Sequence, residues 1–196
     1  MAETDAKPTT VRRIEGPEAT VLAGLASVFS DLQHVLRCCE HLVSALADPR
    51  GPDEALVESL WSAALTGYVR CFSTRAAVLT KADLDELQLD GDVGDFHPLF
   101  TRLRDHYASR HTNPRESFTI GIAQSNVGKP VGVAVIAAPN PQVDDPTVRL
   151  LGRVAYALSG LVDARMQKAQ NDVLGVAQGM SIHQLALLPY VYLTED

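Results

Sequence analysis

The stretch that decides the fold is residues 18–47, which read EATVLAGLASVFSDLQHVLRCCEHLVSALA. Its apolar side chains recur at alternating spacings of four and three residues: Val21, Leu25, Val28, Leu32, Val35, Cys39, Leu42 and Leu46. A second set widens this row at every seventh residue: Leu22, Phe29, Leu36 and Val43. Such a row lies on one helix face and packs against other long helices. We therefore expect a long helix whose row is either the core of an intramolecular bundle or the seam of a dimer.

Three further helices are predicted from their start and stop signals. Pro52 suits the first position of a second helix, which we expect to run to about Leu79. Asp95 is predicted to cap a third helix, which Asn113–Pro114 ends because the residue before a proline avoids helical geometry. Asp145 is predicted to cap a last long helix, whose first position is a proline.

Two short apolar strands around a glycine-containing turn predict a β-hairpin at about residues 117–137. The predicted fold is therefore mainly α, a four- to five-helix bundle with a small β-hairpin inserted before the last long helix. We expect this bundle domain to span residues 18–180. A mobile polar tail is expected at residues 1–17 and an apolar C-terminal tail at residues 181–196.

The composition narrows the function classes. The chain has 196 residues and a net charge of −7, which argues against a broad nucleic-acid surface. Cys38, Cys39 and Cys71 form neither a disulfide framework nor a zinc motif, as expected in a reducing compartment. The start of the chain lacks the apolar core of a signal peptide, and we expect no apolar run long enough to span a membrane. We expect a cytoplasmic protein that contacts no membrane.

No motif for a metal or cofactor is present, so we expect none to be bound. Residues 80–95 are acidic, but their spacing does not match a calcium loop, and they are predicted to form a solvated connector with room for one helical turn. His34 and His41 lie seven residues apart on the first helix and are predicted to be an ordinary surface or interface pair. Phosphate-loop, dinucleotide-binding and nucleophile-elbow motifs are absent from the sequence.

A basic segment carries the strongest chemical signal: residues 103–114 read LRDHYASRHTNP. Residues 101–115 contain four arginines against one aspartate, a formal charge of +3 in an acidic chain. Arg104 and His111 are seven residues apart, so on a helix they fall about 20° short of two full turns and face the same way. A fixed cation beside a group that titrates near neutrality suits chemistry on a phosphodiester.

Residues 55–165 resemble the HEPN superfamily, and most closely its abortive-infection-like bacterial members. The resemblance rests on an aromatic and an arginine in one helix, then on an Arg-Asp…His-Thr-x-Asn pattern at the end of another, followed by a β segment. The corresponding residues here are Tyr68 and Arg70, then Arg104-Asp105 and His111-Thr112-Asn113. The spacing of six residues between the arginine and the histidine is at the long end of the family's range.

The resemblance implies a helical bundle that dimerises and cleaves RNA without a metal, in a toxin or phage-defence role. It implies that Arg104 stabilises charge on the phosphate, that His111 is the general acid or base, and that Asp105 orients either of them. The residues expected to contact the nucleic acid are Arg102, His106, Arg110 and Arg115.

Two alternatives remain open. The chain could be a catalytically inactive helical dimer that binds a protein partner through its seam or through the apolar tail from Ile182 to Leu193. A minor alternative is a small-ligand sensor, because residues 128–136 and the helix after Asp145 resemble the last strands and helix of a GAF domain. A GAF sheet needs five or six strands, whereas the sequence predicts two.

Overall fold

Helices form most of this chain, and one β-hairpin precedes the last long helix, as the sequence predicts. The computed structural model describes residues 10–73, 78–87, 89, 93–108, 118–137 and 142–191. Its helices are α1 (Pro17–Leu46), α2 (Glu54–Arg70), α3 (Lys81–Asp85), α4 (Val93–Ala108), α5 (Asp145–Gln178) and α6 (Ile182–Leu187). The antiparallel strands are β1 (Phe118–Gln124) and β2 (Pro130–Ala137).

The apolar row of α1 forms the centre of the core. The buried residues of this helix are Leu25, Val28, Leu32, Val35, Cys38, Cys39 and Leu42. They pack against α2 and α5 of the same chain, whereas Val21 is exposed. The structure therefore favours the intramolecular alternative for most of this row.

The helices α1 and α5 are the two longest and pack as an antiparallel pair. Gly152 of α5 lies beside Cys39, and Leu25 shares a groove with Ala169. At about 1.5 Å rise per residue the two helices are roughly 45 and 50 Å long. By length and composition α1 is also apolar enough to cross a membrane, so the expectation that no apolar run reaches that length is wrong. Its inner face lies in the core, as in any central helix of a bundle.

Three helix starts and one helix end differ from the boundaries that the sequence predicts. Asp53 caps α2 by accepting hydrogen bonds from two N–H groups of the first turn, so the helix begins after it rather than at Pro52. This helix ends at Arg70 and not at Leu79, because the next residues form hydrogen bonds to carbonyls three residues back and leave the α geometry.

The other two helix starts shift by three residues and by one residue. Asp95 does not cap α4, which begins at Val93 and leaves this carboxylate in the first turn, where the helix dipole still favours it. Asp144, and not Asp145, caps α5, because its side chain accepts the N–H of Thr147 at 2.9 Å. The predicted stop at Asn113–Pro114 lies outside the described residues.

The acidic segment 80–95 contains α3 and the start of α4. Thr80 and Asp83 form a capping box at the N-terminus of α3. Asp83 is buried, with 6% of its surface exposed, so the prediction of a solvated connector is wrong at this residue.

The hairpin lies at the predicted position. Gly128 in its turn has φ of 78°, a left-handed conformation that a glycine adopts without strain. Ile120 faces Val135 across the ladder, and Ile122 faces Val133. Within the described residues this is a two-stranded sheet, which gives the GAF-like alternative no support.

The two ends of the described chain meet. Arg12 and Tyr190 form an isolated antiparallel bridge, and Arg13 N–H donates to Pro189 O at 2.8 Å. Arg12 also donates to the carbonyls of Ala186 and Leu188, at 2.7 and 2.6 Å. These contacts hold the short helix α6 to the residues that precede α1.

Candidate functional site

The predicted site lies on α4, which one apolar face fixes in the bundle. Phe100 on that face is fully buried, and Phe96, Leu103 and Tyr107 pack partly buried against the core. The ring of Phe100 meets Tyr68 of α2 edge-on, with 5.2 Å between centroids. Because these residues recur at helical spacing, the polar residues between them lie on the other faces of the last two turns.

Arg104 and Asp105 form an ion pair on one of those faces. The Nε atom of Arg104 lies 2.8 Å from Oδ1 of Asp105, and the two side chains are 31% and 38% exposed. The pair has the distance but not the alignment of a hydrogen bond, since Nε has no hydrogen-bond partner. The contact is the kind that the predicted orienting role of Asp105 requires. A guanidinium exposed to this extent remains accessible to an anionic ligand.

Two buried nitrogens in this turn have no hydrogen-bond partner in the part of the chain that the structure describes. They are Nε of Arg104 and Nδ1 of His106. Buried polar atoms are almost always hydrogen-bonded, and leaving one unpartnered costs about 1–3 kcal/mol. Arg104 Nε keeps its ion pair with Asp105, so Nδ1 of His106 is the stronger candidate of the two for a contact with a ligand.

The remaining predicted site residues divide into one that is described and three that are not. Arg102 is exposed on α4. Arg110, His111 and Arg115 lie outside the described residues, so no distance joins Arg104 to His111. The described half of the predicted site is thus a basic, partly buried helix end.

An aromatic cluster behind α4 was not predicted as a unit. His97 Nδ1 lies 3.3 Å from the hydroxyl of Tyr68, and the ring centroids of His97 and Phe72 are 4.5 Å apart. Burial, and then the charge of Lys81, lower the pKa of His97, which favours a neutral imidazole. The sequence signal for this cluster was a spacing of four residues between aromatic side chains, which joins Tyr68 to Phe72 and Phe96 to Phe100.

An ion pair between α3 and α5, in which Asp83 is buried and Arg165 is partly exposed, was also missed. The guanidinium of Arg165 contacts Oδ1 of Asp83 and donates to the carbonyl of Val78 at 3.0 Å. The other carboxylate oxygen of Asp83 accepts from the N–H and hydroxyl of Thr80. Burial raises the pKa of Asp83, but these hydrogen bonds outweigh it and the net pKa is lowered. This carboxylate stays ionised, and it ties α3 to α5.

A second ion pair involves Arg70, one of the residues on which the HEPN resemblance rests. Arg70, at the end of α2, contacts Asp31 of α1 at 3.0 Å. This arginine is 64% exposed at its side chain, so the pair contributes at most about 1 kcal/mol to stability.

The described residues offer few candidates for metal binding or for a reactive thiol. No group of three His, Cys, Asp or Glu side chains lies together there. The Nε2 atom of His34 contacts Cys38 Sγ at 3.6 Å, one turn away on the same helix. Burial raises the pKa of Cys39 and of Cys71 to about 12, which keeps both as thiols rather than as nucleophilic thiolates.

Comparisons with protein-family models, with curated proteins and with solved structures find no match to this chain. The HEPN resemblance therefore rests on the sequence pattern alone, and the class that fold and geometry define is a helical bundle with a basic helix end.

Proposed function

We propose that this chain is a metal-independent ribonuclease of the toxin or phage-defence type. The observation that carries the proposal is the end of α4, where a partly exposed arginine is ion-paired with Asp105 and lies two residues from His106, whose buried Nδ1 has no hydrogen-bond partner among the described residues. The sequence resemblance selects the same turn independently of these contacts.

The proposed reaction is attack of a ribose 2′-hydroxyl on the adjacent phosphorus. A general base removes the hydroxyl proton, the new P–O bond forms, and the 5′-oxygen of the next nucleotide leaves with a proton from a general acid. His111 is the proposed proton-transfer group because an imidazole titrates near neutrality. Arg104 stabilises the negative charge that develops on the phosphate, since a guanidinium matches two phosphate oxygens at once.

Local charge supports an RNA ligand despite the acidic chain. Residues 101–115 carry a formal charge of +3, whereas the whole protein carries −7. A small basic surface on an acidic protein is expected to bind RNA weakly and to lose affinity steeply as the salt concentration rises. Such a protein would select RNA by the geometry of one cleft rather than by a broad charged surface.

The test is cleavage of an unstructured, end-labelled RNA by wild type, Arg104→Ala and His111→Ala. Each variant should lower the rate about 10²- to 10³-fold, as the loss of one charge-stabilising donor or one proton-transfer group does. Arg153→Ala, an exposed arginine of α5, is the matched control and should cleave like wild type. Circular dichroism at the helical bands checks that each variant is folded. Wild-type cleavage by both site variants would refute the proposal.

A second candidate function is an interaction module without catalysis, and the C-terminal segment favours it. Ile182 and Leu187 on α6 are 88% and 71% exposed, within the apolar tail that is one of the two candidate surfaces for a protein partner. Expression of the chain in cells separates the two functions. Growth inhibition that survives Arg104→Ala but is lost with Leu187→Asp would favour the module, with exposed His183→Asp on the same helix as the control.

A further inference from the structure

One face of the β-hairpin presents large apolar side chains to solvent. Phe118, Ile120 and Ile122 of β1 share this face with Val133 and Val135 of β2, because directly paired residues point to the same side. All five residues are between 56% and 67% exposed. The opposite face is built mostly of small residues, among them Thr119, Gly121 and Ala134 of the same ladder.

This arrangement is costly for a two-stranded sheet on its own. A single hairpin is marginally stable in water unless a third strand or a packing surface covers its apolar face. Five residues more than half exposed present roughly 500 Å² of surface, which is as large as the largest apolar patch of a typical monomer and often functional. The helices of the same chain leave this face uncovered.

We propose that this hairpin face is the contact surface of a homodimer, in which two copies pack their hairpins face to face about a two-fold axis. Two such faces would bury roughly 1,000 Å² in total, the area at which specific interfaces begin. The proposal rests on the exposed hairpin alone and stands independently of RNA cleavage. The surface differs from the α1 row, which the sequence left open as the seam of a dimer.

The chemistry of the face fits a second copy better than another ligand. Residues 118–137 contain one charged residue, Lys129 in the turn, so a charged partner finds no complementary group on the face. Interdigitating β-branched side chains from two twisted hairpins is the packing of a two-layer β-sandwich. An anionic membrane surface is disfavoured because the protein carries a net charge of −7.

The test measures self-association of the full chain by sedimentation velocity across the micromolar range. The variant Ile122→Glu places a carboxylate in the centre of the face, and two-fold symmetry places it there twice. We expect the dimer dissociation constant to rise at least about 100-fold, because the two carboxylates would be buried without partners. Thr119→Glu, exposed on the opposite face of the same strand, is the matched control and should dimerise like wild type.

Far-UV circular dichroism separates loss of dimer from loss of fold, because the hairpin adds no helical signal. Helical Ile122→Glu that sediments as a monomer, beside a dimeric Thr119→Glu, supports the proposal. A wild type that is monomeric throughout the range overturns it, whether or not it binds lipid vesicles. An Ile122→Glu variant that dimerises as tightly as wild type also overturns it, since the contact would then lie on another surface.

Discussion

Arg104 is held by its neighbours while its charge remains accessible, and the geometry of its head group is therefore testable apart from its charge. Arg104→Lys keeps the positive charge but replaces a planar fork by a single ammonium. We expect RNA cleavage to fall at least about 10-fold, mostly in kcat, because a lysine does not hold two phosphate oxygens at once. Steady-state kinetics on one RNA substrate checks this, and exposed Arg102→Lys should change kcat little.

Equal loss of activity in both lysine variants would show that Arg104 has no role distinct from that of Arg102 in the same segment. Unchanged kcat in Arg104→Lys would remove this residue from the chemistry altogether. We expect Arg104→Lys to stay folded, because Arg104 lies off the apolar face of α4 and a substitution at a partly exposed position shifts stability by about 0.5 kcal/mol.

Asp83 predicts a pH dependence of stability. Its pKa in the folded protein is lowered below the ordinary value of 3.8, chiefly by the hydrogen bonds of Arg165 and Thr80 working against burial. A lowered folded pKa gives stability that is fully present above the unfolded pKa and is lost as the pH falls through the folded one. Asp83→Asn should therefore cost about 1–3 kcal/mol near pH 7, and the difference from wild type should shrink below about pH 4.

Denaturant unfolding of both proteins from neutral to acidic pH measures this difference. The exposed neighbour Asp85→Asn is the control and should shift the free energy of unfolding by less than about 0.5 kcal/mol. A difference that grows as the pH falls would have the wrong sign for a carboxylate ionised in the fold.

Single residues show where sequence reasoning stops. Thr80 and Asp83 have the spacing of a capping box, which a local pattern reveals, but Arg165 lies 82 residues away and no local pattern connects it to Asp83. The candidate site shows the same limit. Its residue types and helical spacing came from the sequence, whereas the burial of Arg104 Nε and His106 Nδ1 depends on the packing around them.

At the scale of elements, the approach of α1 and α2 depends on a missing side chain. A Cβ atom added at Gly67 would lie 3.0 Å from Cγ2 of the buried Val35. Gly67→Ala gains helix propensity but crowds a fully buried residue, so we expect a net loss of about 1 kcal/mol. Gly160→Ala on α5 has no atom within 4 Å of the new Cβ and should stabilise the protein by about 0.5–1 kcal/mol.

Thermal or denaturant unfolding of the two alanine variants checks the opposite signs. Two stabilised variants would mean that Val35 shifts freely and that the helices do not rely on the glycine. Two destabilised variants would mean that Gly160 has a role beyond helix propensity.

The elements that the sequence predicted best are those with long, regular patterns. The four-three spacing of α1 repeats along the whole helix, and the hairpin combines two apolar strands with a glycine-containing turn. The positions of both elements were therefore predicted with little error. Helix ends depend on which of two neighbouring polar residues caps the first turn. Asp53 beside Pro52, and Asp144 beside Asp145, are equal candidates in sequence, and only backbone geometry decides between them.

At the scale of the whole molecule, several contacts link the two ends of the described chain, which the sequence predicted to be tails. Arg12 bonds two carbonyls at the end of α6, and its guanidinium lies 3.9 Å from the ring centroid of Tyr190. Carbonyls at a helix end lack partners within the helix, so a cation that binds them also caps it. The short helix α6 has no buried residue of its own, so these contacts are its main described link to the rest of the chain.

Removing this link should therefore loosen the C-terminal segment without unfolding the bundle. In Arg12→Ala we expect faster amide hydrogen exchange at residues 182–191, while exchange in the core of α1 and the midpoint of global unfolding stay near wild type. Arg13→Ala is the matched control, because that side chain is 67% exposed and forms a surface ion pair with the nearby Glu15. Exchange that stays slow in Arg12→Ala would show that the backbone bonds of residues 11–13 to residues 189–191 hold α6 by themselves. A global loss of stability would instead make this end of the chain part of the cooperative core.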